Sequence, residues 1–181
     1  MGKVFASIDE PLRAFIEEQH LFFVATAPRA DEGLVNLSPK GLDSFRILGP
    51  NEVAYLDFVG SGVETIAHLR ENGRIAVMFC ALTGPPRILR LYGRGDVLEP
   101  GDEEFDALAQ RFPHYAGTRA VIRISVTRIA DACGFGVPRF TYEGERDQLL
   151  KWAERQGEEG LTEYARENNR ESLDGLPGLR Q

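Results

Sequence analysis

Residues 34 to 41 read LVNLSPKG, and three of them could grip an anion: Asn36, Ser38 and Lys40 recur at every second position. Alternate residues of a strand line one face, so an amide, a hydroxyl and an ammonium group would project together. Lysine is scarce in this chain, with Lys3 and Lys151 the only others in 181 residues. Lys40 stands just past the strand-like run LVNLS, between Pro39 and Gly41, which would fix the direction of a turn. The plainer alternative is a solvated lysine, because single charges outside regular elements are mostly exposed. A second feature lies in DFVGSGVETIAHLREN, residues 57 to 72. Ser61 and Glu64 have the spacing of a capping box, with Gly60 and Gly62 on either side of the cap. A helix start so open sterically presents unpaired N–H groups and the positive end of the helix dipole, which together favour a phosphate. Glu64 would repel that phosphate unless its carboxylate were held back or neutralised. A capped helix after a strand is also commonplace without any ligand. The lone lysine, the polar strand face and the open helix start together point to phosphate.

Other reactive residues form no comparable pattern. His20, His68 and His114 are scattered, and no C-x-x-C or H-E-x-x-H spacing exists to hold a metal. His68 reads as a surface or cap-proximal residue rather than an acid–base group. Cys133 and Phe135 in DACGFGVPRF sit in a glycine-flanked loop; they either face a bound ring or substrate, or are a small buried cysteine and a packing phenylalanine. The arginines Arg87, Arg90, Arg94 and Arg119, Arg123, Arg128 read as solvated sheet faces or subunit salt bridges, one of which could orient an anionic substrate. No catalytic residue is assigned.

Composition limits the function classes. A 43% hydrophobic and 27% charged chain of 181 residues is long enough for one globular domain with a tail. Its formal net charge of −7 argues against general nucleic-acid binding, so any anionic ligand must be met locally. No apolar run approaches the ~18 residues of a membrane span. The N-terminus MGKVFASIDE lacks the apolar core of a signal peptide. A cytoplasmic protein is the expectation. Cys80 and Cys133 could pair in principle but form no disulfide framework.

The elements that must position the candidates follow from periodicity and turn chemistry. Asp9 and Pro11 open a helix running to about Gln19. LFFVATA, LVNLS, SFRILG, EVAYLDF, RIAVMFCAL, PRILRLYGRGDVLE and RAVIRISVTRIA read as strands, with a bulge or bend at Gly93 and Gly95. GDEEFDALAQRF reads as a short acidic helix opened by Asp102. Strands without βα alternation point to a closed or nearly closed barrel over residues 1–140. Residues 141–181 read as two amphipathic helices, around Leu149 to Ala153 and Leu161 to Ala165, packing on the barrel or on a partner subunit. Leu176, Pro177 and Leu179 favour a tail pinned down rather than free.

The order LFFVATA…GLVNLSPKG…VAYLDFVGSGVETIAHLRENGRIAVMF…PPRILRLYGRGDVL resembles the pyridoxamine 5′-phosphate oxidase-like FMN-binding split-barrel family over about residues 10 to 130. The tail CGFGVPRF…SLDGLPGL is similar to that of a bacterial subgroup of flavin-binding proteins. The resemblance implies a mainly β fold: a six-stranded antiparallel split barrel with added helices, forming a homodimer with flavin sites in its interface. It implies an FMN-dependent oxidoreductase acting on a small-molecule redox substrate. It places Lys40 on the flavin phosphate, Ser61, Gly62 and Thr65 on the phosphate and ribityl chain, and Arg87 and Ile88 across the interface near the ring. The oxidases carry a Ser-Arg-Lys run where this chain has Val63, Glu64 and Thr65. The phosphate would then rest on Lys40, backbone amides, hydroxyls and one of Arg46, Arg87 or Arg139. Relatives of the barrel also bind a deazaflavin, haem or biliverdin. A non-catalytic flavin or tetrapyrrole carrier is therefore the alternative to an enzyme, and a structural dimer that has lost its ligand is a third reading.

Overall fold

The strand after Asn51 shows why the chain folds inward. Glu52–Phe58 (β5) carries apolar or aromatic residues at nearly every position, and Val53 to Asp57 are all buried. A strand buried on both faces must lie inside a layered structure. The computed structural model describes residues 2–180. In chain order the other elements are β1 (Val4–Phe5), α1 (Glu10–Glu17), β2 (Phe22–Thr26), β3 (Asn36–Lys40), β4 (Phe45–Gly49), α2 (Glu64–Asn72), β6 (Arg74–Cys80), β7 (Ile88–Leu98), α3 (Phe105–Ala109), β8 (Thr118–Ala132) and α4 (Gln148–Asn168).

The strands form one antiparallel sheet in the order β3-β2-β6-β7-β8-β5-β4, with the two-residue β1 added against β8. It therefore has eight strands rather than six, the extra ones including the short β1. β3 and β4 are consecutive in the chain yet end opposite sides of the path, so the barrel is split, not closed. Side chains close what the backbone leaves open. Phe45 of β4 packs edge-on against Phe22 of β2 and Phe79 of β6, with both ring centroids 5.1 Å away. Such pairs add about 0.5–1.5 kcal/mol each beyond their burial.

Local signals act as their chemistry dictates. Asp9 caps α1 by accepting from the Leu12 amide at 3.0 Å, and α1 turns Leu12 and Ile16 into the core. Full burial of each contributes about 1.5–3 kcal/mol. The ladder between β7 and β8 shifts register between Tyr92 and Gly93. At Gly93 a side chain would collide with the Ser125 carbonyl, which is the close approach that requires glycine there. On β8, Ile122, Ile124 and Val126 are buried, while Ser125 and Thr127 are exposed. β3 begins two residues later than LVNLS suggests and includes Pro39 and Lys40, so Lys40 is a strand residue rather than a turn residue. Proline is tolerated because β3 pairs only with β2 and forms a sheet edge.

α4 breaks at Gly157, whose φ of 65° and ψ of 179° are open only to glycine, so two helices meet there as the pattern indicates. Trp152 and Tyr164 from the two halves contact edge to face at 5.0 Å. Ala153 is 1% exposed and its half of the helix packs over Gly117 of the barrel. Residues 169–180 then return as a tight hairpin, with Glu171 bridged to Pro177 and the Ser172 amide donating to the Leu176 carbonyl at 2.9 Å. Leu179 packs against the main core, and Arg180 pairs with Glu99 and Asp102. Among the described residues no helix is long and apolar enough to cross a membrane.

Candidate functional site

The polar face of β3 points at the start of α2. Asn36 Nδ2 donates to the Thr65 hydroxyl at 3.0 Å and to that of Thr26 at 3.3 Å, and the Ser38 hydroxyl donates to Asn36 Oδ1 at 3.2 Å. Lys40, next in the alternation, donates from Nζ to Asp57 Oδ1 at 2.8 Å and lies 5.9 Å from the Tyr55 ring centroid. Its side chain is 21% exposed, so it is not the solvated lysine of the plainer reading. Arg119 reaches Asp57 from the other side, with Nε donating to Oδ2 at 2.7 Å, and its Nη2 donates to the Gly62 carbonyl at 2.8 Å.

Asp57 is thus a buried carboxylate between two cations. Burial alone would push its carboxyl up, but the Lys40 and Arg119 charges, with a hydrogen bond from each, hold it down at about 2. The Tyr55 hydroxyl is pushed well above its ordinary value, chiefly by burial and further by the nearby Asp57 charge. It is enclosed near Thr65 without a hydrogen bond of ordinary geometry. Arg119 Nη1 is likewise buried and has no acceptor among the described residues. A buried donor left without a partner costs ~1–3 kcal/mol, so water, an ion or a ligand oxygen belongs beside it.

The helix start departs from the capping-box expectation. α2 begins at Glu64 with Val63 as its N-cap, no side chain caps it, and Ser61 is exposed. The reason is the returning C-terminal hairpin. Asn169, fully buried, donates to the Gly60 carbonyl at 2.8 Å, and Gly178 packs on Val63. These contacts fix the 60–63 turn in place of a serine cap. The Glu64 carboxylate folds back over Gly62, where any side chain would collide with it, and among the described residues accepts a long 3.4 Å contact from the Leu173 amide.

Of the sequence candidates, Asn36, Ser38, Lys40, Gly62 and Thr65 come together here, with Ser61 at the rim. Arg87 and Ile88 do not join them within one chain. Arg87 pairs with Asp131 at 3.2 Å, stacks over Phe15 at 5.0 Å, and borders a separate cleft of about 730 Å³ that also includes Cys133. Arg46 is held by Asp43. Neither lies beside Lys40; the second cation on Asp57 is Arg119, which the sequence left as a solvated sheet-face residue, a subunit salt bridge or a group orienting an anionic substrate. His68 is also corrected. It is fully buried, with Nδ1 2.9 Å from the Thr26 hydroxyl and Nε2 3.5 Å from Asp174, because α2 packs that side against β2. Cys133 and Phe135 are exposed, Phe135 at 82%, so neither packs in the core, and both cysteines are free thiols. Sequence reasoning also missed Asp57, although its phase on β5 gave a signal: it shares a strand face with Val53 and Tyr55, and a charge there demands a partner.

A family model described as pyridoxamine 5′-phosphate oxidase matches residues 8–133. The chain belongs to the pyridoxamine 5′-phosphate oxidase family. It is 43% identical over 192 residues to the pyridoxamine 5′-phosphate oxidase family protein ustO of Aspergillus flavus, covering 97% of this chain and 77% of that protein. Among solved structures it is similar to a HupZ variant from Group A Streptococcus, with 25% identity, a TM-score of 0.56, and coverage of 69% of this chain and 99% of that one. A FAD-binding protein from Mesorhizobium loti shares the fold at 12% identity and a TM-score of 0.50, covering 72% of this chain and 96% of that one. In this family member the match ends at Cys133, so α4 and the hairpin that covers the α2 start lie outside it.

Proposed function

We propose that this chain binds FMN, as a cytoplasmic homodimer, and uses it in an oxidoreductase reaction on a small-molecule substrate. The observation that carries the reading is the pair Lys40 and Arg119 flanking one buried carboxylate, Asp57, at the start of α2. Lys40 and Arg119 outnumber Asp57 by one charge beside the helix amides, which suits a phosphate monoester once the Glu64 carboxylate over Gly62 moves aside. The unspent Arg119 Nη1 fits an acceptor arriving there. Asn36, Ser38 and Thr65 supply neutral hydrogen-bonding groups in reach of a polyol chain. The FAD-binding relative of the same fold supports a flavin over other cofactors.

When bound, FMN supplies the electron-transfer chemistry, and the protein holds and orients it. Lys40 would hold the phosphate, with Gly62 allowing close backbone approach. Arg87 and Ile88 would be contributed by the partner subunit. The exposed apolar residues Leu34, Val35, Leu37 and Tyr92 support a second copy packing along that side of the barrel.

One observation favours the alternative of a non-catalytic flavin, deazaflavin or tetrapyrrole carrier. Asp57 stays ionised and Tyr55 stays neutral throughout the physiological range, so neither central titratable group exchanges protons near neutrality. The absorption spectrum of freshly purified protein tests both readings. Flavin bands that bleach with NAD(P)H and return with an acceptor at turnover rates are the expected result. Flavin bands that never bleach identify a carrier, and a Soret band identifies a tetrapyrrole. A colourless protein that leaves an FMN titration flat overturns the proposal.

A further inference from the structure

We propose that the Glu64 carboxylate is a resident stand-in for the anion at the α2 entrance, displaced when a phosphate group binds, and that Arg119 is the second cation receiving that phosphate. The inference rests on the phosphate reading above and adds two residues to it.

Three observations converge. Glu64 is the first residue of α2, and its carboxylate lies over Gly62 at the end of the helix where the amides have no intrahelical partners. An anion at that place is stabilised by the dipole, whether it belongs to the protein or to a ligand. Among the described residues Glu64 is weakly tethered there, its carboxylate accepting from the Leu173 amide at a long 3.4 Å, so leaving costs little. Arg119, 9% exposed, donates from Nη2 to the carbonyl of the same glycine and keeps Nη1 enclosed without an acceptor among the described residues. A phosphate brings more acceptor oxygens and more charge than a carboxylate. It, or a water it orders, can satisfy Nη1, which Glu64 in its present position does not.

Asp57 explains how the arrangement survives exchange. It binds Arg119 with one oxygen and Lys40 with the other, so both cations stay in place whichever anion occupies the entrance. Lys40 uses one of its three N–H donors on Asp57 and has others to offer.

The test compares wild type, Glu64→Gln and Arg119→Lys by binding of FMN, of riboflavin as the phosphate-free probe, and by thermal shift in inorganic phosphate. Glu64→Gln removes the competing charge and is expected to tighten FMN about 10-fold, the scale of one charge-assisted contact, and to enlarge the thermal shift from phosphate. Riboflavin binding should not change. Arg119→Lys should weaken FMN about 10-fold with riboflavin again unaffected. If that variant fails to fold, Glu64→Gln decides alone. Unchanged or weakened FMN and phosphate binding in Glu64→Gln overturns the proposal while leaving the flavin reading intact. No flavin bound by any form, with phosphate still stabilising Glu64→Gln more than wild type, overturns the flavin reading and supports the displacement of Glu64 by phosphate. Flat responses to phosphate and FMN alike in all forms overturn both.

Discussion

Lys40 Nζ and Asp57 Oδ1 meet at 2.8 Å across strands that never pair, because β3 hydrogen-bonds only to β2, while β5 lies between β8 and β4. The ion pair therefore spans the split in the barrel, next to the aromatic contact of Phe22 with Phe45. A pair so enclosed is weak evidence for added stability, since desolvation offsets its attraction, but breaking it leaves an uncompensated charge. Asp57→Asn should lower unfolding stability by about 3 kcal/mol, read as a drop in urea midpoint. A midpoint within error of wild type would show that Lys40 and Arg119 find other partners.

The same carboxylate sets an acid limit. Its folded value of about 2 lies below the ordinary 3.8, so the native state favours the ionised form. The associated stability is fully present above pH ~4 and is lost as pH falls from about 4 through about 2, amounting to about 2 kcal/mol. Chemical denaturation at stepped pH should show this slope, and Asp57→Asn should flatten it. An equal slope in both proteins would assign acid sensitivity to other carboxylates.

Lys40→Ala bears on the cofactor. Losing one charged hydrogen bond should weaken FMN by about 1.5–3 kcal/mol, or ~10- to 150-fold, by fluorescence titration. Because the substitution also relieves Asp57 of one partner, circular dichroism must confirm the fold. Undiminished FMN affinity would remove the lysine from the phosphate site.

Asp174, at the tip of the C-terminal hairpin, accepts the Leu34 amide at 3.2 and 3.3 Å and faces His68. Asp174→Ala should release the segment before β3 by about 1–2 kcal/mol. Hydrogen exchange would report this as faster exchange at Leu34, with β8 unaffected. Unchanged protection at Leu34 would mean that the amide is held by other contacts.

Periodicity and turn chemistry alone determined most of the elements. The alternation in RAVIRISV, the cap at Asp9, the interruption at Gly93 and the two-part C-terminal helix all depend on residues within a few positions of one another, where sequence spacing is spatial spacing. The polar face of β3 was legible for the same reason, and the motif order carried the family. Which cation accompanies Lys40 was not legible. Arg119 is 62 positions from Asp57, and it resembles its neighbours Arg123 and Arg128 until the sheet order brings β8 beside β5. The start of α2 shows the limit from the other direction. Ser61 and Glu64 have capping-box spacing, but a hairpin more than 100 residues later takes the Gly60 carbonyl and turns the Glu64 carboxylate to another use. Local propensity is worth ~1 kcal/mol at a cap, and tertiary contacts of equal size decided the outcome.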